Sequence, residues 1–351
     1  MDRRKFLKAT AALGVTGLAA NVPLAQAAAA TMKTQEAVGS DTITHAFKFH
    51  NGKFKVLQFT DTHYIAGDPR SIRALNNVRE MLDAERPDLV IHTGDIIFGK
   101  PAEQGLREIL APISERKIPF VVALGNHDGQ HDLTRKGVAD TVKTIPYCLN
   151  KCIDNIYGDT NELVTLGTST DGTPEWVFYL FDSGDINTIP GMEGYDFIHF
   201  DQIAWHRQWA EKFKAKNGGT PIPSMAFFHI PVPEFTYALR DTKRIMKGNL
   251  GEDPCPADIN SGLFTSFKEM GDIKAIVCGH DHDNDYAMKW KGMFLIYGRF
   301  SGCDTVYNNL KPNGARIFEF TQGQSTFRSW IHEYGGNISQ KLDFPDGFKT
   351  Y

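Results

Sequence analysis

From Phe54 onward the chain alternates short apolar runs with longer stretches in which apolar residues return every three or four positions. The runs are Phe54–Phe59, Leu89–His92, Pro119–Leu124, Trp176–Phe181, Met225–Phe228, Ile273–Val277, Met293–Tyr297 and Arg316–Phe320. Several are continuous rather than alternating, the pattern of strands buried on both faces. Between them, Ile72, Leu75, Val78 and Leu82 keep helical spacing after Asp68-Pro69, a cap and a first-turn proline. Trp205, Trp209 and Phe213 recur every four residues after Asp201, and Gly218-Gly219 ends that helix. These aromatics are read as core packing rather than as a ligand box. Strand and helix in alternation predict an α/β domain over residues 51–351. Residues 129–173 carry little periodicity and are expected to form loops and short helices over one end of the sheet. Residues 28–50 are small and polar and read as a spacer.

Composition adds constraints. A hydrophobic content of 41% against 23% charged residues supports a sizeable core and excludes global disorder. The formal charge of -4, with no basic stripe interleaved with aromatics, gives no support for nucleic-acid binding. Residues 1–27 stand apart from the fold. Arg3, Arg4, Lys5 and Lys8 form a basic start, a weakly apolar Ala/Gly/Thr stretch follows, and Ala25-Gln26-Ala27 offers small residues to a signal peptidase. Arg3-Arg-Lys-Phe-Leu-Lys8 resembles the twin-arginine export signal. A membrane anchor is the alternative, but the glycine-rich, modest hydrophobicity argues against a permanent span. The expectation is export by the twin-arginine machinery to the periplasm or beyond, without a stable membrane span. The five cysteines include no CxxC, so a thiolate zinc site is not expected. Cys278 lies in an apolar run and reads as a buried thiol; Cys148 and Cys152 can pair after export, which their spacing alone does not establish.

The strand ends carry the chemistry. The run VLQF leads into Thr60-Asp61-Thr62-His63, LVIHT into Gly94-Asp95, VVAL into Gly125-Asn126-His127-Asp128, MAFF into His229, and AIVC into Gly279-His280-Asp281-His282. Alone, each is a solvated turn. Five together, always with His, Asp or Asn, lie where open α/β sheets bind ligands, at the carboxyl ends of the strands. Gly94, Gly125 and Gly279 each precede a ligand-type residue, where a missing Cβ lets backbone approach a bound ion. His280 and His282 are separated by one residue, and on extended backbone both would aim into one site.

In that order, D-x-H, G-D, G-N-H-D, a lone H and G-H-x-H resemble the calcineurin-like metallophosphoesterases, over roughly Phe54 to Phe320. Phe228-His-Ile-Pro-Val-Pro-Glu-Phe235, Ile259-Asn-Ser-Gly-Leu-Phe264, Gly279-His-Asp-His-Asp-Asn-Asp285 and Gly314-Ala-Arg-Ile-Phe-Glu319 are similar to the purple-acid-phosphatase-related phosphatases. The resemblance implies two packed mixed β-sheets flanked by helices, a four-layer sandwich with a dimetal site on the loops at one edge. It implies that Asp61, His63, Asp95 and His282 hold one metal and Asp95, Asn126, His229 and His280 the other, with Asp95 giving one oxygen to each. Such ligands, without sulfur, suit Mn, Fe, Zn or Co, as divalent or mixed-valence pairs. The implied reaction is hydrolysis of a small phosphorylated substrate by a water acidified between the ions.

His127 is then the general acid for the leaving oxygen and, with Asn126, a contact for phosphate. Asp128 either orients His127 or caps the turn. Arg299 reads either as a phosphate clamp or as a surface salt bridge; His131 and Arg135 are further candidates. Purple members of the wider family carry tyrosine three residues after the bridging aspartate. Phe98 stands there in this chain, so no tyrosinate ligand, and no purple colour, is expected. Phosphomonoester hydrolysis leads; phosphodiester or nucleotide pyrophosphate cleavage at the same site, and a non-catalytic metal-binding scaffold, are the alternatives.

Overall fold

The computed structural model describes residues 45–151, 153 and 155–348. Residues 1–27, expected to direct export, and Cys152 lie outside the described residues, and so does any pairing of Cys148 with Cys152. Fourteen strands occur among the described residues: β1 His45–Phe47, β2 Lys53–Phe59, β3 Leu89–His92, β4 Phe120–Val122, β5 Glu162–Leu166, β6 Trp176–Leu180, β7 Ser224–Phe227, β8 Ile245–Lys247, β9 Ile273–Cys278, β10 Ala287–Trp290, β11 Met293–Tyr297, β12 Gly314–Thr321, β13 Phe327–Glu333 and β14 Ile338–Phe344. The helices are α1 Ile72–Glu85, α2 Ala102–Glu115, α3 Arg135–Lys143, α4 Phe200–Lys216, α5 Glu234–Arg240 and α6 Leu263–Met270.

The strands form two mixed sheets. One runs β1-β5-β6-β7-β9-β11-β10-β8, the other β14-β13-β12-β2-β3-β4. Strands β2, β3 and β4 are parallel neighbours in the smaller sheet, and β6, β7 and β9 in the larger. The continuous apolar runs follow from the layering. In β2, Phe54 and Val56 pack between the sheets, whereas Leu57 and Phe59 pack outward beneath α1 and α2. In β7, Met225 and Phe227 face between the sheets and Ala226 packs in the outer cluster with Trp205, Trp209 and Phe213 of α4. Alternate residues thus meet different layers, and both must be apolar. This is the expected four-layer sandwich.

Two expectations need correction. The spacer ends before residue 50: His45–Phe47 pairs in parallel with Val164–Leu166 as an edge strand too short to show a period. Residues 129–173 include the expected short helix but also the fully buried strand β5, whose Glu162 and Thr165 mask its apolar pattern. The two sheets are cross-tied by a buried charge cluster. Arg316 on β12 and Arg299 after β11 both converge on Asp285, which ends the GHDHDND stretch.

Candidate metal centre

All five expected strand ends meet at one edge of the sandwich. The loops after β2, β3 and β4 supply Asp61 and His63, Asp95, and Asn126 with His127. Those after β7 and β9 supply His229, and His280 with His282. Loop-to-loop backbone bonds hold them in register: Asp61 N–H donates to the Gly94 carbonyl, His63 N–H to the Asp95 carbonyl and Gly279 N–H to the His229 carbonyl. The seven metal-type residues are all buried.

The donor atoms form two overlapping groups. Ligand atoms of Asp61, His63, Asp95 and His282 all lie within 4.8 Å of one another. In the second group, His229 Nε2 lies 3.1 Å from Asn126 Oδ1, 3.3 Å from Asp95 Oδ2 and 3.3 Å from His280 Nδ1. Asp95 joins the groups. Its Oδ2 faces His63 at 3.5 Å and His229 at 3.3 Å, while Oδ1 accepts the backbone N–H of His127 at 2.8 Å. Asp95 thus stands between the two groups, with Oδ2 the nearer oxygen to both His63 and His229.

The imidazoles are set as ligands. His229 Nδ1–H donates to the Thr93 carbonyl at 2.7 Å and His282 Nδ1–H to the Tyr307 carbonyl at 2.8 Å. A carbonyl only accepts, so each ring is fixed with Nδ1–H outward and Nε2 turned to the centre. His63 Nε2 and His282 Nε2 stand 3.0 Å apart, a close approach of basic nitrogens that a cation between them accommodates. Burial pushes His63 and His280 well below the usual histidine range, keeping them neutral. Burial also opposes charge on Asp95, but His229 and His63 hold its carboxyl well below the usual range. Burial would lower His229 too, yet the Asp95 and Asp61 carboxylates raise it to about 9. Neutral His63 and His280 beside carboxylates, with His229 drawn toward positive charge by Asp95 and Asp61, mark a place that favours a cation and fit two transition-metal ions.

The backbone is shaped for this arrangement. Asp61, His63, Asp95 and His280 have φ of 53°, 42°, 52° and 80°, the left-handed region that ordinary residues enter at a cost of order 1–3 kcal/mol each. His280 and His282 are thus not on extended backbone; the turn brings them together, His280 presenting Nδ1 and His282 Nε2. Gly279 is required by close approach: a Cβ there would overlap the Thr60 hydroxyl and lie 2.6 Å from Asp61 Oδ2. At Gly125 a Cβ would overlap the Asp95 carboxylate.

The residues around His127 sort differently from expectation. Asp128 does not touch it. The Asp128 carboxylate accepts backbone N–H from Asp95 at 3.0 Å, Ile96 at 2.8 Å, Ile97 at 3.3 Å and Gly125 at 2.8 Å, so it caps two turns. Arg299 is no phosphate clamp and no surface pair either: its guanidinium is 2% exposed, paired with Asp285 and bonded to the Pro312 carbonyl. Arg135 is similarly spent, on the Gly125 carbonyl and Asp182. Phe98 packs edge-on against His127 and His63, with ring centroids 5.0 and 5.3 Å away.

Two neighbours went unread in the sequence. Gln130 Oε1 lies 2.7 Å from His127 Nδ1, and Gln130 Nε2 donates to Asp185 Oδ1 at 3.4 Å. The signal was available, because the apolar run Trp176–Phe181 is a sixth strand ending in acids, Asp182-Ser-Gly-Asp185.

Residues 54–284 match the model of the calcineurin-like phosphoesterase family. The chain is 35% identical to "Probable inactive purple acid phosphatase 29" of Arabidopsis thaliana, over 71% of this chain and 72% of that protein. It is 29% identical to "Phosphatase DCR2" of Saccharomyces cerevisiae over 84% of this chain, spanning only 56% of the yeast protein. Among solved structures it is similar in fold to a dimetal phosphatase from Danio rerio, with a TM-score of 0.57 and 14% identity over 83% of this chain and 98% of that one.

Proposed function

The chain belongs to the calcineurin-like phosphoesterases, and from that footing we propose that it hydrolyses phosphomonoesters with two transition-metal ions and His127 as proton donor. The observation that supports this most is the sharing of Asp95 Oδ2 by two groups of ligand atoms, with His127 on the adjoining turn. When bound, the ions clamp phosphate oxygens and lower the pKa of a water. Asp61 and Asp95 would supply carboxylate oxygen and His63, His229, His280 and His282 ring nitrogen, His229 giving up its extra proton as metal binds. The Asn126 carbonyl oxygen turns toward His229, which leaves its amide NH2 for a phosphate oxygen. The ligand chemistry suits Mn, Fe, Zn or Co, in divalent or mixed-valence pairs.

The name of the plant relative favours a second reading, a metal-binding protein without turnover. Hydrolysis of alkyl and aryl monoesters, diesters and nucleotides, by chelated protein and after each metal is restored, separates the readings. Monoesters should be hydrolysed best, and only with metal. His127→Ala should keep both ions yet lose about 10²–10⁴-fold in turnover, the scale of a positioned proton donor. Metal-loaded protein that turns over none of these substrates overturns the enzymatic reading.

We also propose export through the twin-arginine route to the periplasm or beyond, on the strength of Arg3-Arg4 and the small residues before position 28. Among the described residues no helix is long and apolar enough to cross a membrane. Arg3→Lys with Arg4→Lys should strand the precursor inside the cell; undiminished export of that variant removes the proposal.

A further inference from the structure

The side-chain hydrogen bond to the His127 ring comes from Gln130, and it carries chemical information. An amide can meet Nδ1 with either its oxygen or its nitrogen, and only the oxygen demands a hydrogen on Nδ1. Asp185 decides the orientation. As a carboxylate it only accepts, so the Gln130 NH2 turns to Asp185 and the Gln130 oxygen turns to His127.

The parts are held in register by separate contacts. Gln130 N–H donates to the His127 carbonyl at 3.1 Å, closing the turn between them. The Asp185 carbonyl accepts from Asp196 N–H at 3.0 Å. Arg135 spans the two loops, donating to the Gly125 carbonyl just before Asn126-His127 and to Asp182 just before Ser183-Gly184-Asp185. On its remaining sides His127 is fixed by Asp95, which accepts its backbone N–H, and by the Phe98 ring.

We propose that Gln130, oriented by Asp185, is the positioning residue for proton transfer by His127, fixing its neutral ring as the Nδ1–H tautomer. The inference rests on the reading of His127 as proton donor. In the step, Nε2–H passes to the leaving oxygen as the phosphorus–oxygen bond breaks. The cationic ring becomes neutral, and its remaining hydrogen stays on Nδ1, where the Gln130 oxygen accepts it. A ring without that partner would divide between tautomers and rotate.

Zinc-loaded protein, which is diamagnetic, allows the His127 tautomer to be read from imidazole ¹⁵N shifts whether or not the protein turns over. Wild type should show Nδ1–H. Gln130→Leu, which keeps size but removes the acceptor, should shift the ring toward Nε2–H, and Gln130→Glu should restore Nδ1–H. Asp185→Asn, which can donate as well as accept, should give a mixture; an unchanged spectrum there removes Asp185 from the chain of contacts. In kinetics, Gln130→Leu should lower kcat on an alkyl phosphate about tenfold, with KM unchanged, and spare an activated aryl phosphate that needs little protonation. An Nδ1–H ring in Gln130→Leu, or an equal loss on both substrates, overturns the proposal. Absence of turnover in wild type would instead defeat the enzymatic reading, and the tautomer would still decide the role of Gln130.

Discussion

Replacing Asp128 by asparagine tests whether one buried carboxylate holds the shared ligand in place. In the native protein Asp128 accepts four backbone N–H groups, two of them from Asp95 and Gly125 through Oδ2. The other two, from Ile96 and Ile97, go to Oδ1. Asparagine has the same shape but only one acceptor oxygen, so in either orientation its NH2 faces two N–H donors. Two buried donors left unpaired cost roughly 1–3 kcal/mol each, giving about 2–6 kcal/mol in total. That is a large part of the roughly 5–15 kcal/mol that holds a domain folded. The loss falls on the turn that keeps Asp95 in its left-handed conformation, so metal affinity should drop with stability. Chemical unfolding of chelated protein near pH 7.5 gives the first quantity, and metal content after dialysis gives the second. The reasoning fails if Asp128→Asn unfolds within about 1 kcal/mol of wild type, the scale of one ordinary hydrogen bond, and still retains both ions.

Asp95→Ala should empty both metal positions, because the Asp95 carboxylate faces both groups of ligand atoms; elemental analysis that finds either position full would remove the shared-ligand assignment. Iron-loaded protein should show no intense tyrosinate band, since Phe98 sits against His63 and the nearby Tyr307 hydroxyl is turned to Glu252; visible spectroscopy checks this. Burial raises the Glu85 carboxyl, but Trp330, Lys55 and His332 together hold it below its usual 4.5. Its contribution is therefore present above pH 4.5 and lost as pH falls through the lower folded-state value. Glu85→Gln should flatten that acid-side loss in unfolding midpoints measured from pH 6 downward, and an unchanged slope would show that other groups dominate.

What could be read from the sequence was what local pattern encodes. Eight strand runs were legible because apolar residues dominate them and most of their positions are buried. The seven metal-type residues that meet at one edge were legible because each stands just beyond such a run. Of the six missed strands, β1, β8 and β10 are short, β5 and β13 interleave polar residues, and β14 lies at an edge with one face wet, so little apolar signal marks them. Arg299 misled because position after a strand says nothing about which way a side chain turns; Asp285, 14 residues earlier, turned it inward. Gln130 escaped notice because its partners are a turn away and 55 residues away, and a single glutamine carries no periodic signal.

Neither ion position can be built by one sheet. Asp61, His63, Asp95 and Asn126 come from the smaller sheet, and His229, His280 and His282 from the larger. Metal ions bound there act as rivets through a seam. A half-assembled chain offers them only part of a coordination shell, so uptake is delayed until the sheets have docked. Occupancy then reports that assembly is complete, and it favours the docked state by about 4 kcal/mol for a free ion at a thousand times its dissociation constant. Stripping the ions should therefore loosen the seam between sheets before it melts either sheet, so that amide exchange rises first in the loops facing one another across it.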